Sequence, residues 1–339
     1  MPIYEIVLII VGTLLVLAIG FVAFLPWIFG RFVRLVLLPR YGFRIRGREH
    51  IPKRGAGILA VNHVTWIDAL FVAAACPRGG RVLANAGFFT FKPLHFLVSR
   101  AGMIPVPFSG PKAQRAAIVA VRDALDRGEL VAIFPEGQLT RNGMLGPFYR
   151  GLEVILKGRS DVPVIPVYLD GLWGSIWSFQ GWRAFGKRPV GLRRVVNVAF
   201  GPALTGPPSL FEVRLAILDA GVDAVGLRKT PPAALETIDP SLDRFDHPSL
   251  GSITGSAPDY DRDGVVQPGR REGTVGLPLP GVALRVVDGS GRIASEEVDG
   301  RVEVRNPLHP QWTDTGATGH LDRDGFLTVR NPPTEGGLI

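Results

Sequence analysis

Apolar and polar positions follow three regimes along the chain. Residues 6–30 form 25 consecutive positions without a charge. At about 1.5 Å per residue that run is long enough to cross a hydrocarbon core of about 30 Å as a helix. From residue 31 to 205, short apolar runs alternate with helical spacing. The run at 57–61 (GILAV) predicts a strand that ends at Asn62 and His63, and 81–84 predicts another. Ala116, Ile118, Val119, Val121 and Leu125 lie at helical spacing over 111–127, with Gly128 as the stop signal. Buried strands are predicted at 130–134 and 164–169, a helix at 149–157, and an alternating, edge-like strand at 194–200. A Pro-rich connection over 206–249 holds one short helix at 211–219. From 250 to 339 the pattern changes to short strands punctuated by Gly, Pro and Asp-Gly turns.

The architecture this predicts is an N-terminal membrane helix over 1–30 and an α/β domain over 31–205. A linker over 206–249 and a small β-rich module over 250–339 follow. In the α/β domain a mixed sheet carries flanking helices, and ligands are expected where strands end.

Composition narrows the class. With 339 residues, 46% hydrophobic and 20% charged, the chain is neither collagen-like nor intrinsically disordered. The single cysteine, Cys76, excludes a disulfide framework and a four-cysteine zinc site. No metal site is expected. The net charge of +8 divides unevenly: residues 1–200 hold 25 Lys and Arg against 10 Asp and Glu, and residues 201–339 hold 13 against 20. The basic part suits anionic lipid or phosphate, and no nucleic-acid partner is expected. Arg31, Arg34, Arg40, Arg44, Arg46 and Arg48 follow the apolar run, whereas only Glu5 precedes it. The positive-inside rule then puts the rest of the chain on the cytoplasmic face of a bacterial inner membrane, held by one anchor. A signal peptide fits less well, because nothing basic precedes the run.

Candidate chemistry starts at His63 and Asp68. Their H-x4-D spacing offers a general base and a carboxylate to orient it. On one continuous helix the two would point about 140° apart, so the chain must turn between them, with Thr65 as the expected cap. The same spacing recurs at His309 and Asp314, so context has to separate the pairs. Only His63 ends an apolar strand ahead of a helix. Glu136 and Gly137 end the strand at 130–134, on the same predicted sheet edge, and Arg141 follows within reach of a phosphate. Lys112 and Arg115, after Gly102–Pro107, are further candidates for an anion. Phe88, Phe89, Phe91 and Phe96, with Trp173, Trp177 and Trp182, suit either a core or a lipid interface.

The ordered blocks NHVTWID (62–68), GMIPV (102–106), FPEG (134–137) and VPVIPV (162–167) resemble those of the glycerolipid acyltransferases, the 1-acylglycerol-3-phosphate acyltransferase type. The resemblance covers about residues 40–205. It implies that His63 removes the proton of an acceptor hydroxyl, that Asp68 supports it, and that Glu136, Gly137, Arg141, Lys112 and Arg115 shape the acceptor site. It also implies an acyl-CoA or acyl carrier protein donor, a membrane phospholipid product, no cofactor and no acyl-enzyme. The sequence agrees on the last point, since there is no G-x-S-x-G elbow and the only thiol lies in an AAAC segment.

Gln138, Leu139 and Thr140 stand where the family usually has Thr-Arg-Ser, and Val106, Pro107 and Phe108 replace the usual close of the second block. These departures resemble the acyltransferase half of bifunctional 2-acylglycerophosphoethanolamine acyltransferase/acyl-carrier-protein synthetases, so lysophosphatidylethanolamine joins lysophosphatidate as an expected acceptor. The tail, through 273–288, 300–307 and 312–329, resembles the later part of AMP-forming acyl-CoA synthetases. Gly255 and Ala317 replace two polar residues of that family, and its phosphate loop is absent. The tail is therefore expected to be a remnant without ligase activity. An AMP-forming ligase and an inactive membrane scaffold are the competing readings.

Overall fold

In this computed structural model the described residues are 40–85, 102–106, 110–182, 193–229, 243–262 and 264–332, with a few positions before residue 21. The anchor expected over 6–30 lies almost wholly outside them, as does the Phe cluster at 88–96. Among the described residues no helix is long and apolar enough to cross a membrane.

Among the described residues, seven strands build one sheet. In chain order they are β1 (Tyr41–Arg46), β2 (Gly57–Val61), β3 (Arg81–Asn85), β4 (Met103–Val106), β5 (Leu130–Ile133), β6 (Val164–Asp170) and β7 (Arg194–Phe200). Their spatial order is β1-β7-β6-β2-β5-β3-β4. Every pairing is parallel except β6 with β7. β2 lies at the centre and all five of its residues are buried, which is why GILAV reads as an unbroken apolar run and does not alternate. Ile58 and Ala60 face a core with helices α2 (Pro111–Asp126) and α3 (Gly151–Leu156), while Leu59 and Val61 face α1 (Asp68–Ala75). β7 is covered by β1 and is not the edge strand that its alternation suggests.

The described parts of the expected linker, residues 206–229 and 243–249, are structural. Its helix, α4, runs over Leu210–Gly226 and not only over 211–219. A capping box starts it: the Ser209 hydroxyl accepts from the Glu212 amide, and the Glu212 carboxylate accepts from the Ser209 amide at 2.7 Å. Val213, Ile217, Ala220 and Ala224 enter the core beneath the sheet, whereas Phe211 enters the core of the C-terminal module. At roughly 1.5–3 kcal/mol for each large apolar side chain, such burial far exceeds what a flexible linker contributes.

The C-terminal module is all β, as its turn-rich pattern predicts. Strands β8 (Arg244–His247), β9 (Gly251–Gly255) and β12 (Leu277–Pro278) make one small sheet. β10 (Tyr260–Arg262) and β11 (Val265–Gln267) form a hairpin. β13 (Ala283–Val287), β14 (Gly300–Arg305), β15 (Thr313–Leu321) and β16 (Leu327–Asn331) form an antiparallel meander. Its inward Leu284, Val286, Val302 and Val304 build a core against Phe211 and Phe245.

Candidate active site

β2 delivers His63 to the C-terminal edge of the sheet. The Asn62 side chain fixes that strand end by bonding the backbone of Leu169 in both directions, at 2.7 and 3.1 Å. The chain then turns, and α1 begins only at Asp68. His63 Nδ1 therefore meets Asp68 Oδ2 at 3.0 Å, a contact a continuous helix forbids. The Asp68 side chain is fully buried and that of His63 is 21% exposed. The same Asp68 oxygen accepts from the Val64 and Thr65 amides at 2.5 and 2.8 Å, and its other oxygen accepts from the Thr65 hydroxyl at 2.5 Å. Thr65 thus holds the carboxylate and does not cap the helix; the N-cap is Ile67, with no side-chain bond.

With its carboxylate fixed by three further donors, Asp68 holds the imidazole in the tautomer protonated at Nδ1. Nε2 is then the nitrogen left to act as base. The ring stacks on Phe134 at 4.1 Å between centroids, which fixes its plane. The competing pair does not converge. His309 Nε2 lies 3.1 Å from the Ser249 carbonyl, and Asp314 pairs with Arg301.

Glu136 comes from the end of β5 and is buried behind this dyad. Its Oε1 accepts from the His63 amide and its Oε2 from the Gly146 amide, both at 2.7 Å. One carboxylate thereby ties the histidine's backbone to the far end of the loop 137–146. The Thr140 amide adds a second tie, donating to the His63 carbonyl at 2.9 Å. Burial pushes the Glu136 carboxyl up to about 7, although the two amide donors and the nearby Arg214 guanidinium pull the other way. Gly137 turns the chain with φ 58°, and a Cβ there would meet Tyr149 at 2.9 Å. A glycine answers both demands.

Arg141 reaches the rim of the site. Its guanidinium stacks on Phe179 at 3.3 Å from the ring centroid, and Phe179 in turn lies 5.9 Å from Trp66, three residues beyond His63. A bridge between Thr65 and Ser178 holds these two segments together. Lys112 and Arg115 lie elsewhere: they are exposed on the first turns of α2, after the edge strand β4. That helix packs on β4 and β5. The structure thus gathers His63, Asp68, Glu136, Gly137 and Arg141, and puts Lys112 and Arg115 on the exposed first turns of α2.

Sequence reasoning missed Phe134 as the ring's support, Arg214 and Gln267. Arg214 is buried on α4, donates to the Gly146 carbonyl at 2.6 Å, and so braces the loop that Glu136 holds. Phe134 opens the FPEG block and was open to inference; the other two act across the chain and leave no local signal.

Residues 42–170, which hold most of this sheet and the His63–Asp68 dyad at its strand ends, match the Acyltransferase family model. The particular likeness is to 1-acyl-sn-glycerol-3-phosphate acyltransferases. The chain is 31% identical over 183 residues to one from Limnanthes douglasii, covering 50% of this chain and 62% of that protein. It is 27% identical over 187 residues to one from Pseudomonas aeruginosa, covering 50% and 64%. Among solved structures, the acyltransferase PlsC from Thermotoga maritima aligns with a TM-score of 0.45 at 19% identity, covering 62% of this chain and 81% of that chain. The chain spans less than two thirds of the length of either of these two relatives. It resembles the glycerolipid acyltransferases, as its four blocks imply.

Proposed function

We propose that this protein transfers a fatty acyl group from a thioester donor, acyl-CoA or acyl carrier protein, to the free hydroxyl of a lysophospholipid. Lysophosphatidate is the first acceptor, because the curated relatives are named for 1-acyl-sn-glycerol-3-phosphate. Lysophosphatidylethanolamine is the second. The observation that carries the reading is the buried, fully bonded Asp68 beneath a partly exposed His63. His63 Nε2 takes the hydroxyl proton as the acceptor oxygen attacks the thioester carbonyl. The carbon–sulfur bond breaks as the new ester closes, and the leaving thiolate takes that proton back from Nε2. Asp68 stabilises the transient imidazolium, and Arg141 on the rim supplies charge for the acceptor phosphate. Cys76 takes no part: it is buried, and burial pushes its thiol up and away from thiolate chemistry. No cofactor is required. The reading includes an N-terminal anchor over 6–30 and a site at the cytoplasmic face, where Lys112 and Arg115 would meet anionic headgroups.

The test is a panel of lysophospholipids offered to the purified full-length protein with radiolabelled acyl-CoA or acyl carrier protein, resolved by thin-layer chromatography. Turnover highest with lysophosphatidate is the expected result. Absence of transfer to every lysophospholipid would overturn the proposal, and AMP release from free fatty acid and ATP would favour the ligase reading.

A further inference from the structure

The hairpin β10–β11 reaches out of the C-terminal module and closes on the loop that carries Arg141. Gln267, at its end, is 1% exposed. Its Oε1 accepts from the Arg141 amide at 2.6 Å, and its Nε2 donates to Asn142 Oδ1 at 2.7 Å and to Thr140 Oγ1 at 3.3 Å. These are the residues that follow FPEG, where the family pattern is lost. One strand position earlier, the Val266 carbonyl accepts from Gln138 Nε2 at 2.9 Å. The Tyr260 ring, from the other arm of the hairpin, lies 5.1 Å from the Arg141 guanidinium, which also contacts the Phe179 ring at 3.3 Å. The loop itself is braced at its far end, where Glu136 and Arg214 both bond Gly146.

A surface hairpin resting on a loop by chance makes exposed contacts through flexible side chains. Here a buried primary amide has both of its ends bonded across more than 120 residues of sequence. Removing such a partner strands a buried donor and acceptor. The guanidinium in contact with two aromatic rings is likewise preorganised, because cation–π contacts within about 6 Å restrict its freedom.

We propose that Gln267 is a positioning residue for the acceptor site. It acts through Arg141, and the synthetase-like module serves the acyltransferase domain as the clamp of its anion-binding loop. Gln267 does not touch the reacting atoms. It fixes the backbone of Arg141, and Tyr260 fixes the side chain, so that the cation is set before the phosphate arrives. A preorganised site binds more tightly because less freedom is lost on binding. The proposal rests on the acyl-transfer reading for its substrate, and the tail that looked like a remnant becomes half of the substrate pocket's support.

The test uses the full-length protein and two variants, Gln267→Ala and Gln267→Met, the second keeping the side-chain length without its polar head. Three quantities are measured: the Kd for lysophosphatidate in zwitterionic micelles without acyl donor, the kinetic constants, and amide exchange over residues 138–146. In both variants the acceptor Kd and KM should rise about tenfold, while kcat and the donor KM stay within twofold. Exchange at 140–146 should accelerate while β2 and β6 stay protected. An acceptor Kd and KM unchanged in both variants would overturn the proposal, as would parallel losses in kcat, donor KM and melting temperature. A wild type that binds lysophosphatidate but transfers nothing would sink the activity reading alone, and the Kd of the variants would still decide the role of Gln267.

Discussion

Asp68 shows how much one side chain carries. It accepts from the His63 ring, two amides and the Thr65 hydroxyl, with no exposed surface. Asp68→Asn puts an NH2 group against N–H or O–H donors and removes the charge that supports the imidazolium. Turnover should fall about 10³-fold, with a stability loss of about 1–3 kcal/mol read by urea denaturation. Glu136 gives a second test. Its folded-state value of about 7 exceeds the ordinary 4.5, so the folded protein keeps a proton that the unfolded chain releases in that window. The contribution is fully present below pH 4.5 and is lost as pH rises through 7, a decline of about 3 kcal/mol. Melting curves of the wild type and Glu136→Gln should differ by that slope, and equal slopes would show that Glu136 titrates normally.

At the scale of elements, α4 is the joint of the molecule. Its capping box satisfies amides that the first turn leaves open, and Ser209→Ala should cost about 1 kcal/mol in denaturant titration. Because the helix lies in two cores, that loss should appear in one transition shared by both modules. What was legible in the sequence was local. GILAV, the strand at 164–169 and the helix at 111–127 are written in runs of apolar residues, and the dyad is five positions long with a visible turn between strand and helix. What was illegible depends on partners far away. Tyr41–Arg46 alternates with arginines and joins the sheet only because β7 lies beside it. α4 read as short because Gly221 and Gly226 weaken the helical signal of its last turns, which are held by Val222 and Ala224 in the core beneath the sheet. Gln267 is an ordinary polar residue until the fold sets it against Arg141.

The whole molecule carries its charge in two parts, basic through residue 200 and acidic beyond. Ion pairs hold the join, and one of them, Arg46 with Asp223, crosses between the two parts. Arg305 on β14 meets Asp219 and Asp223 on α4 at 2.6 and 2.9 Å, and Asp223 also pairs with Arg46 on β1. Ending the chain at residue 242 would expose Phe211 and release the loop at 138–146. Such a truncation should fail to yield a stable, active domain, as read by circular dichroism and acyl transfer. A folded, fully active truncation would return the tail to the status of a passenger. The central claim, direct transfer by a histidine base held by Asp68, turns on His63 itself. The deciding measurement is acyl transfer from radiolabelled acyl-CoA to lysophosphatidate by full-length His63→Ala. A fall of about 10³-fold or more at an unchanged melting temperature is the predicted result, and turnover comparable to wild type would contradict it.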